Sequence, residues 1–264
     1  MPDRNLDKTL IQPESVLTAD RLTLAWEDVV VTEEVSLHVL PGEVCCLVGK
    51  SGCGKTTILH ALAGLTKPVS GRVLVHGCDV TGKPGRVSYM LQKDLLLEQR
   101  RVIDNVALPL VLKGVSKREA RAAAEPLFER FGLAGTQMKW PHQLSGGMRQ
   151  RAALLRTHLM GNDCILLDEP FSALDAMTRM DMREWFLGIV KDLGLSALII
   201  THDVDEAVCL SSRVYVLSGS PSHGTPSRIA DEITIDRGDL PLDEFELTYA
   251  YADAKRRILD AIRH

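Results

Sequence analysis

Gly49-Lys50-Ser51-Gly52-Cys53-Gly54-Lys55-Thr56-Thr57 fits the spacing Gly, any four residues, Gly-Lys-Thr. Glu43-Val44-Cys45-Cys46-Leu47-Val48 precedes it as an apolar, partly β-branched run without helical period, as expected of a buried central strand. Residues 57 to 65 follow with apolar side chains at helical spacing. A strand that enters a glycine loop and opens a helix aims several backbone N–H groups, and the positive end of the helix dipole, at one spot. Such a spot suits a polyphosphate. Gly49, Gly52 and Gly54 let the backbone approach phosphate oxygens, while Lys50, Ser51, Cys53 and Thr57 complete the loop. Lys55 is placed to reach the β and γ phosphates, and the Thr56 hydroxyl to ligate Mg²⁺. An ordinary glycine turn is the alternative, but it explains neither flank.

Outward from the loop, strand and helix patterns alternate. Residues 1 to 15 read as a polar lead. From Val16 come strand patterns at Leu22, Leu24 and Trp26, at 29–31 and at Val35, Leu37 and Val39, with Pro41-Gly42 as the turn into the loop strand. Residues 72–76 and 87–91 are further short strands, the latter ending at Gln92. From 93 to 160 the pattern turns helical. Val102, Val106, Leu108, Val111 and Leu112 suit one helix, and Ser116 with Glu119 makes a capping box for a second running toward Gly132. Strand character returns at 164–167, 196–201 and 213–217, around helical patterns at 177–193 and from Asp203 with Glu206 three positions on. A last strand from Ser227 and a terminal helix after Asp243-Glu244 close the chain. Strands alternating with helices predict an α/β fold with a parallel sheet and right-handed crossovers.

Two more stretches carry chemistry. Cys164-Ile165-Leu166-Leu167-Asp168-Glu169 is an apolar strand ending in adjacent carboxylates, at the sheet edge where ligands bind in open α/β sheets. Asp168 is the candidate Mg²⁺ holder. Glu169 is the candidate that polarises a water for in-line attack on the γ phosphate. Taken alone, such a pair also serves to cap a turn. In Leu144-Ser145-Gly146-Gly147-Met148-Arg149-Gln150, Ser145 caps a helix whose first amides Gly146 and Gly147 leave uncovered: a second anion-binding terminus, or a plain cap.

Composition narrows the field. The 264 residues, 45% hydrophobic and 25% charged with a net charge of −4, describe an ordinary globular chain rather than a general nucleic-acid binder. Segment 93–160 holds twelve basic and six acidic residues, 12 − 6 = +6, which reads as a solvated helical face before a lipid-facing one. Six cysteines lack the spacing of a zinc site and mostly sit in apolar runs, as reduced core residues do; Cys53 is either reactive or a small tolerated side chain. No apolar run reaches ~20 residues, and the polar N-terminus does not read as a signal peptide.

Together these stretches resemble the ATP-binding subunit of ABC (ATP-binding cassette) transporters, from about residue 16 to the end. Residues 144–150 are similar to that family's signature motif, Gln92 to its glutamine loop, Ser172-Ala173-Leu174-Asp175 to its D-loop and His202 to its switch histidine; Trp26 fits the aromatic that stacks on adenine. The resemblance implies a P-loop NTPase (RecA-like) parallel-sheet core with an N-terminal antiparallel β subdomain, an inserted helical subdomain at about 93–160 and a C-terminal strand and helix at about 227–264. It implies a head-to-tail dimer with a second copy, each ATP lying between one loop and the partner's signature helix. Ser145 and Gly147 then grip the partner's nucleotide, Asp175 crosses the interface, His202 holds the γ phosphate and attacking water, and Gln92 touches both Mg²⁺ and a transmembrane chain. Two permease subunits and a separate solute-binding protein are the other implied partners, nucleic acid is not, and the expected place is the cytoplasmic face of the plasma membrane. The competing class is a soluble ABC ATPase acting on DNA or ribosomes, which usually carries two cassettes or a long coiled-coil insertion. Residues 168–179 and 201–208 resemble the nitrate, sulfonate and taurine importer branch, whose look importers of thiamine-precursor pyrimidines share. Glu98-Gln99 departs from the Pro-Trp that branch often has there.

Overall fold

A computed structural model describes residues 15–263, so all but the last residue of the predicted lead lies outside the described residues. Ten strands form one sheet among the described residues: β1 (Leu17–Trp26), β2 (Val29–Val39), β3 (Val44–Gly49), β4 (Ser70–Val75), β5 (Cys78–Asp79), β6 (Ser88–Met90), β7 (Cys164–Asp168), β8 (Ser196–Thr201), β9 (Arg213–Ser220) and β10 (Thr225–Thr234). Their order is β5-β4-β1-β2-β10-β9-β3-β8-β7-β6. From β9 to β6 every neighbouring pair is parallel, whereas β5, β4, β1 and β2 form an antiparallel unit. β10 joins the two, antiparallel to β9 and touching β2 in parallel at Ser227 and Thr32.

All residues of β3, β7 and β8 are buried, as helices or strands on both faces require of central parallel strands. The two-residue period of these strands divides the interior. Val44, Cys46 and Val48 with Ile165, Leu167, Ala197 and Ile199 face a core that includes Phe128, Phe131, Leu155, Phe186 and Ile258. Cys45 and Leu47 with Cys164, Leu166, Leu198 and Ile200 face a second core, which includes Leu17, Leu22 and Leu24 of β1 and Ile58, Leu59 and Leu62 of the helix after the loop. The sheet is therefore a partition with its carboxyl ends in line: Asp168 pairs with Ile200, and Val48 with Thr201 and Val216.

Two predicted helices are shorter than their patterns. The helix expected over 102–112 is two, Val102–Val106 and Leu108–Leu112, because Pro109 lacks the N–H that a continuous helix needs and instead opens the second. The Ser116 cap stands, its hydroxyl accepting from the Glu119 amide at 3.3 Å, but that helix is Lys117–Ala124 rather than one reaching Gly132. Pro126 interrupts it, and Leu127–Arg130 continues as a separate turn. The short strand β5 carried no signal in the sequence. Cys78 is exposed there, unlike the other five cysteines, all of which are buried.

Candidate functional site

The glycine loop bridges β3 and the helix Lys55–Leu62. Two of its glycines are required by the surroundings. At Gly49 a Cβ would lie 2.5 Å from the Leu217 carbonyl oxygen of β9. Gly54, which precedes the helix, has φ 99° and leaves only 2.6 Å between a Cβ and Val31 Cγ1. No side chain caps this helix, so its first amides stay turned toward the loop. Lys55 is buried, and its ammonium donates to the carbonyls of Gly49 at 2.8 Å and Lys50 at 2.9 Å. The third N–H points to Cys53 Sγ at 4.0 Å, a weak acceptor that a phosphate oxygen would displace. Cys53 is 1% exposed and burial raises its thiol pKa, which favours the small tolerated side chain over the reactive one.

Asp168 ends β7 opposite the start of that helix. The Thr56 and Tyr89 hydroxyls each donate to its Oδ2 over a long 3.4 Å. Burial raises the Asp168 pKa, the neighbouring Glu169 charge adds to the rise, and the two hydroxyls oppose it. A divalent cation fits such a place, because it would neutralise the crowded carboxylates. Thr56, Asp168 and Gln92 offer hard oxygen donors; among the described residues no cluster of three His, Cys, Asp or Glu side chains forms an all-protein cage. That is the donor set Mg²⁺ tolerates, with phosphate oxygens and water completing its shell.

Glu169 is where three predicted residues meet. Gln92 Nε2 donates to its Oε2 at 2.9 Å, and His202 Nδ1 lies 2.9 Å from its Oε1. Its backbone is unusual, with φ 45°, and is held by a bond from its amide to the Ile200 carbonyl at 2.8 Å and by Ser172 Oγ donating to its carbonyl at 2.9 Å. A left-handed non-glycine residue costs on the order of 1 kcal/mol and persists where its surroundings over-determine it. The turn aims this carboxylate sideways, between the segment after β6 and the segment after β8.

The other predicted residues lie elsewhere. Trp26 is 66% exposed at the end of β1, so it is not part of the core. It pairs with Val29 on the hairpin whose Val31 side chain abuts Gly54. Ser145 precedes the helix Gly146–His158 and accepts from the Met148 amide at 3.3 Å. A Cβ on Gly147 would come 3.2 Å from Thr178 Cγ2, so this helix start is packed on the start of Ala176–Leu193. Asp175 caps that second helix, accepting from the Thr178 amide at 3.0 Å and the Thr178 hydroxyl at 2.6 Å. Among the described residues no hydrogen bond joins Ser145, Gly147 or Asp175 to the glycine loop of the same chain. Tyr89, the hydroxyl against Asp168, escaped sequence reasoning, as did Asp94, whose carboxylate receives Arg149 at 3.3 Å and whose carbonyl receives Arg156 at 2.5 Å. These two arginines fasten the segment after Gln92 to the signature helix.

The model of the ABC transporter family matches residues 32–172, from β2 to just past Glu169. The chain belongs to the ABC transporter family. It is an ATP-hydrolysing cassette of that family, with the P-loop NTPase α/β fold. Similar relatives include the formylaminopyrimidine import ATP-binding protein ThiZ of Halalkalibacterium halodurans, 38% identical over 80% of this chain and 83% of the relative. The taurine import ATP-binding protein TauB of Yersinia pestis is 42% identical over 72% of this chain and 74% of its own. The nitrate import ATP-binding protein NrtC of Synechococcus elongatus is 41% identical over 72% of this chain, which spans 29% of that longer protein. Among solved structures, cbiO1 of Clostridium perfringens superposes with TM-score 0.75 at 21% identity, over 95% of this chain and 98% of the other. The dimeric structure of the cassette MJ0796 superposes with TM-score 0.70 at 24% identity, over 83% and 99%. At these identities the structures show the ABC fold alone.

Proposed function

We propose that this chain is the ATP-binding subunit that energises a bacterial ABC importer for a small anion or related solute. The nitrate, taurine and formylaminopyrimidine names of its relatives support that solute class. One observation carries the catalytic assignment: Glu169 is held by Gln92 on one side and His202 on the other, one residue beyond Asp168, at the mouth of the glycine loop. In this assignment Lys55 and the loop amides bind the β and γ phosphates, and Thr56, Asp168 and Gln92 hold Mg²⁺. When bound, that ion supplies charge neutralisation at the β and γ oxygens. Glu169 orients a water in line with the γ phosphate and takes its proton, and His202 fixes Glu169 and the terminal phosphate. Trp26 stacks on adenine.

Among the described residues no hydrogen bond ties Ser145, Gly147 or Asp175 to their own chain's loop, which supports a second copy placed head to tail, so that each signature helix start meets the other chain's nucleotide. ATP then closes the pair and hydrolysis reopens it, through different affinities for two states. No helix among the described residues is long and apolar enough to cross a membrane. Two separate permease chains and a solute-binding protein are the proposed partners, with the subunit peripheral at the cytoplasmic face. Glu98 and Gln99, on the segment that Arg149 and Arg156 fasten, mark where its permease contact differs from the branch.

The test is Glu169→Gln, which keeps the bond from Gln92 and removes the base. Turnover should drop by roughly 10²- to 10⁴-fold while ATP binding survives. Unchanged turnover would remove Glu169 from this role. Co-purification with membrane chains supports the importer class, and recovery with ribosomes or DNA overturns it.

A further inference from the structure

Behind His202 lies a chain of contacts that runs to the D-loop. Asp203 follows the histidine and uses its two carboxylate oxygens differently. Oδ1 accepts from the Glu206 amide at 3.1 Å, capping the helix Val204–Leu210. Oδ2 takes two guanidinium groups, Arg183 Nη2 at 3.2 Å and Arg179 Nη1 at 3.5 Å. Both arginines project from the helix Ala176–Leu193, four residues apart and hence on one face. Arg179 also donates from Nη2 to the Leu174 carbonyl of the D-loop at 2.9 Å. On the other side, the Thr201 hydroxyl accepts from the Asp203 amide at 3.0 Å and donates to Glu206 Oε2 at 3.0 Å. The backbone on both sides of His202 is therefore bonded, and the one exposed group of the segment is the imidazole that faces Glu169.

We propose that Asp203 and Arg179 are positioning residues that set the His202 imidazole against Glu169 according to where the D-loop lies. The segment 201–203 has no apolar side chain on its exposed side to hold it, so the direction of the histidine rests on this pair. The linkage is short: Leu174 carbonyl, Arg179, Asp203, then the peptide of His202. A D-loop displaced by a neighbouring copy would pull Arg179 and turn the histidine. Arg183 is the fixed half of the clamp, being buried at 7% exposure. Arg179, with its side chain 29% exposed and one contact to the loop, is the half that can follow a movement. The inference rests on the proposed role of His202 and Glu169 in hydrolysis.

The experiment measures steady-state and single-turnover ATP hydrolysis, ATP affinity and thermal unfolding for five variants. Asp203→Asn keeps the helix cap, for which Asn and Asp are equivalent, and removes the charge that the arginines clamp. Arg179→Met leaves the buried Arg183–Asp203 pair in place and cuts only the D-loop link. Each should lower kcat about ten- to hundred-fold, the usual cost of a slightly misplaced group, with KM for ATP and the melting temperature of Arg179→Met close to the parent's. The combined variant should lose no more than the worse single one, because one chain is cut twice. In a His202→Ala background Arg179→Met should have less than about a two-fold effect in single turnover, since it acts through the imidazole. A full kcat in Arg179→Met, or an equal loss with and without His202, overturns the proposal. His202→Ala at the parental rate would instead show that the underlying role of His202 is wrong. If Asp203→Asn does not fold, Arg179→Met and its His202→Ala combination decide the matter.

Discussion

Lys55 shows how one side chain serves two ends. Its bonds to the Gly49 and Lys50 carbonyls brace the loop, and its third N–H, held only by the weakly accepting Cys53 sulfur, is the one a phosphate oxygen would take. Lys55→Ala should therefore abolish hydrolysis and weaken ATP binding sharply, with only a modest loss of stability; retained ATPase activity would mean that the loop does not hold the phosphates. Trp26 makes the opposite prediction. Because the indole is exposed, Trp26→Ala should leave the melting temperature unchanged. It should weaken ATP binding by the ~1–3 kcal/mol of a stacked base, and Trp26→Tyr should restore most of it. Equal affinity in Trp26→Ala would leave that tryptophan without a role in nucleotide binding. Lys55, Asp168, Glu169, Gln92 and His202 were legible in the sequence, since each stands at the end of an apolar run or inside a motif with fixed spacing. Tyr89, Arg179 and Arg183 were not. Their partners lie 79, 24 and 20 residues away along the chain, and nothing in local periodicity marks an arginine that turns inward on a helix.

At the level of elements, the helix Val204–Leu210 carries a buried acid with a measurable consequence. Glu206 is 3% exposed, and burial pushes its pKa up to about 7, against the ordinary 4.5; Thr201 and the two arginines oppose the shift, and Asp203 adds to it. Among the described residues its Oε1 has no hydrogen-bond partner. The native chain thus keeps a proton that the unfolded chain loses. The stabilisation is complete below pH 4.5 and is lost as pH rises toward 7, by on the order of 3 kcal/mol in all. Glu206→Gln should gain stability over the parent at pH 8 and match it near pH 4.5, read as the difference between their unfolding curves. A pH-independent difference would show that the acid is already ionised in the native state. The strands were the most legible elements, because β3, β7 and β8 are buried on both faces and run apolar, with polar residues only at the ends of β7 and β8. Helix lengths were less so: apolar spacing continues through Pro109 and Pro126, where the backbone does not.

For the whole molecule, the sheet decides what one copy can do alone. It aligns the glycine loop, Asp168, Glu169 and His202 at one edge, since β3, β8 and β7 are adjacent and in register. The place of β10 between β9 and β2 was hidden from the sequence, because it depends on a long-range pairing rather than on any local pattern. The signature helix start is bonded to its own cap and packed on Thr178, with no route among the described residues to its own chain's loop. If a second copy supplies that contact, Ser145→Arg should abolish turnover while leaving ATP binding intact, because each chain keeps its own phosphate loop. Specific activity of the parent should then rise with protein concentration and level off, and Glu169→Gln should shift from monomer to dimer on size exclusion only when ATP is present. These three outcomes have one cause, an ATP that is a ligand to two chains at once, so they stand or fall together. Specific activity independent of concentration, with Ser145→Arg turning over normally, would place the complete active site within one copy and leave the exposed cap at Ser145 as an ordinary helix start.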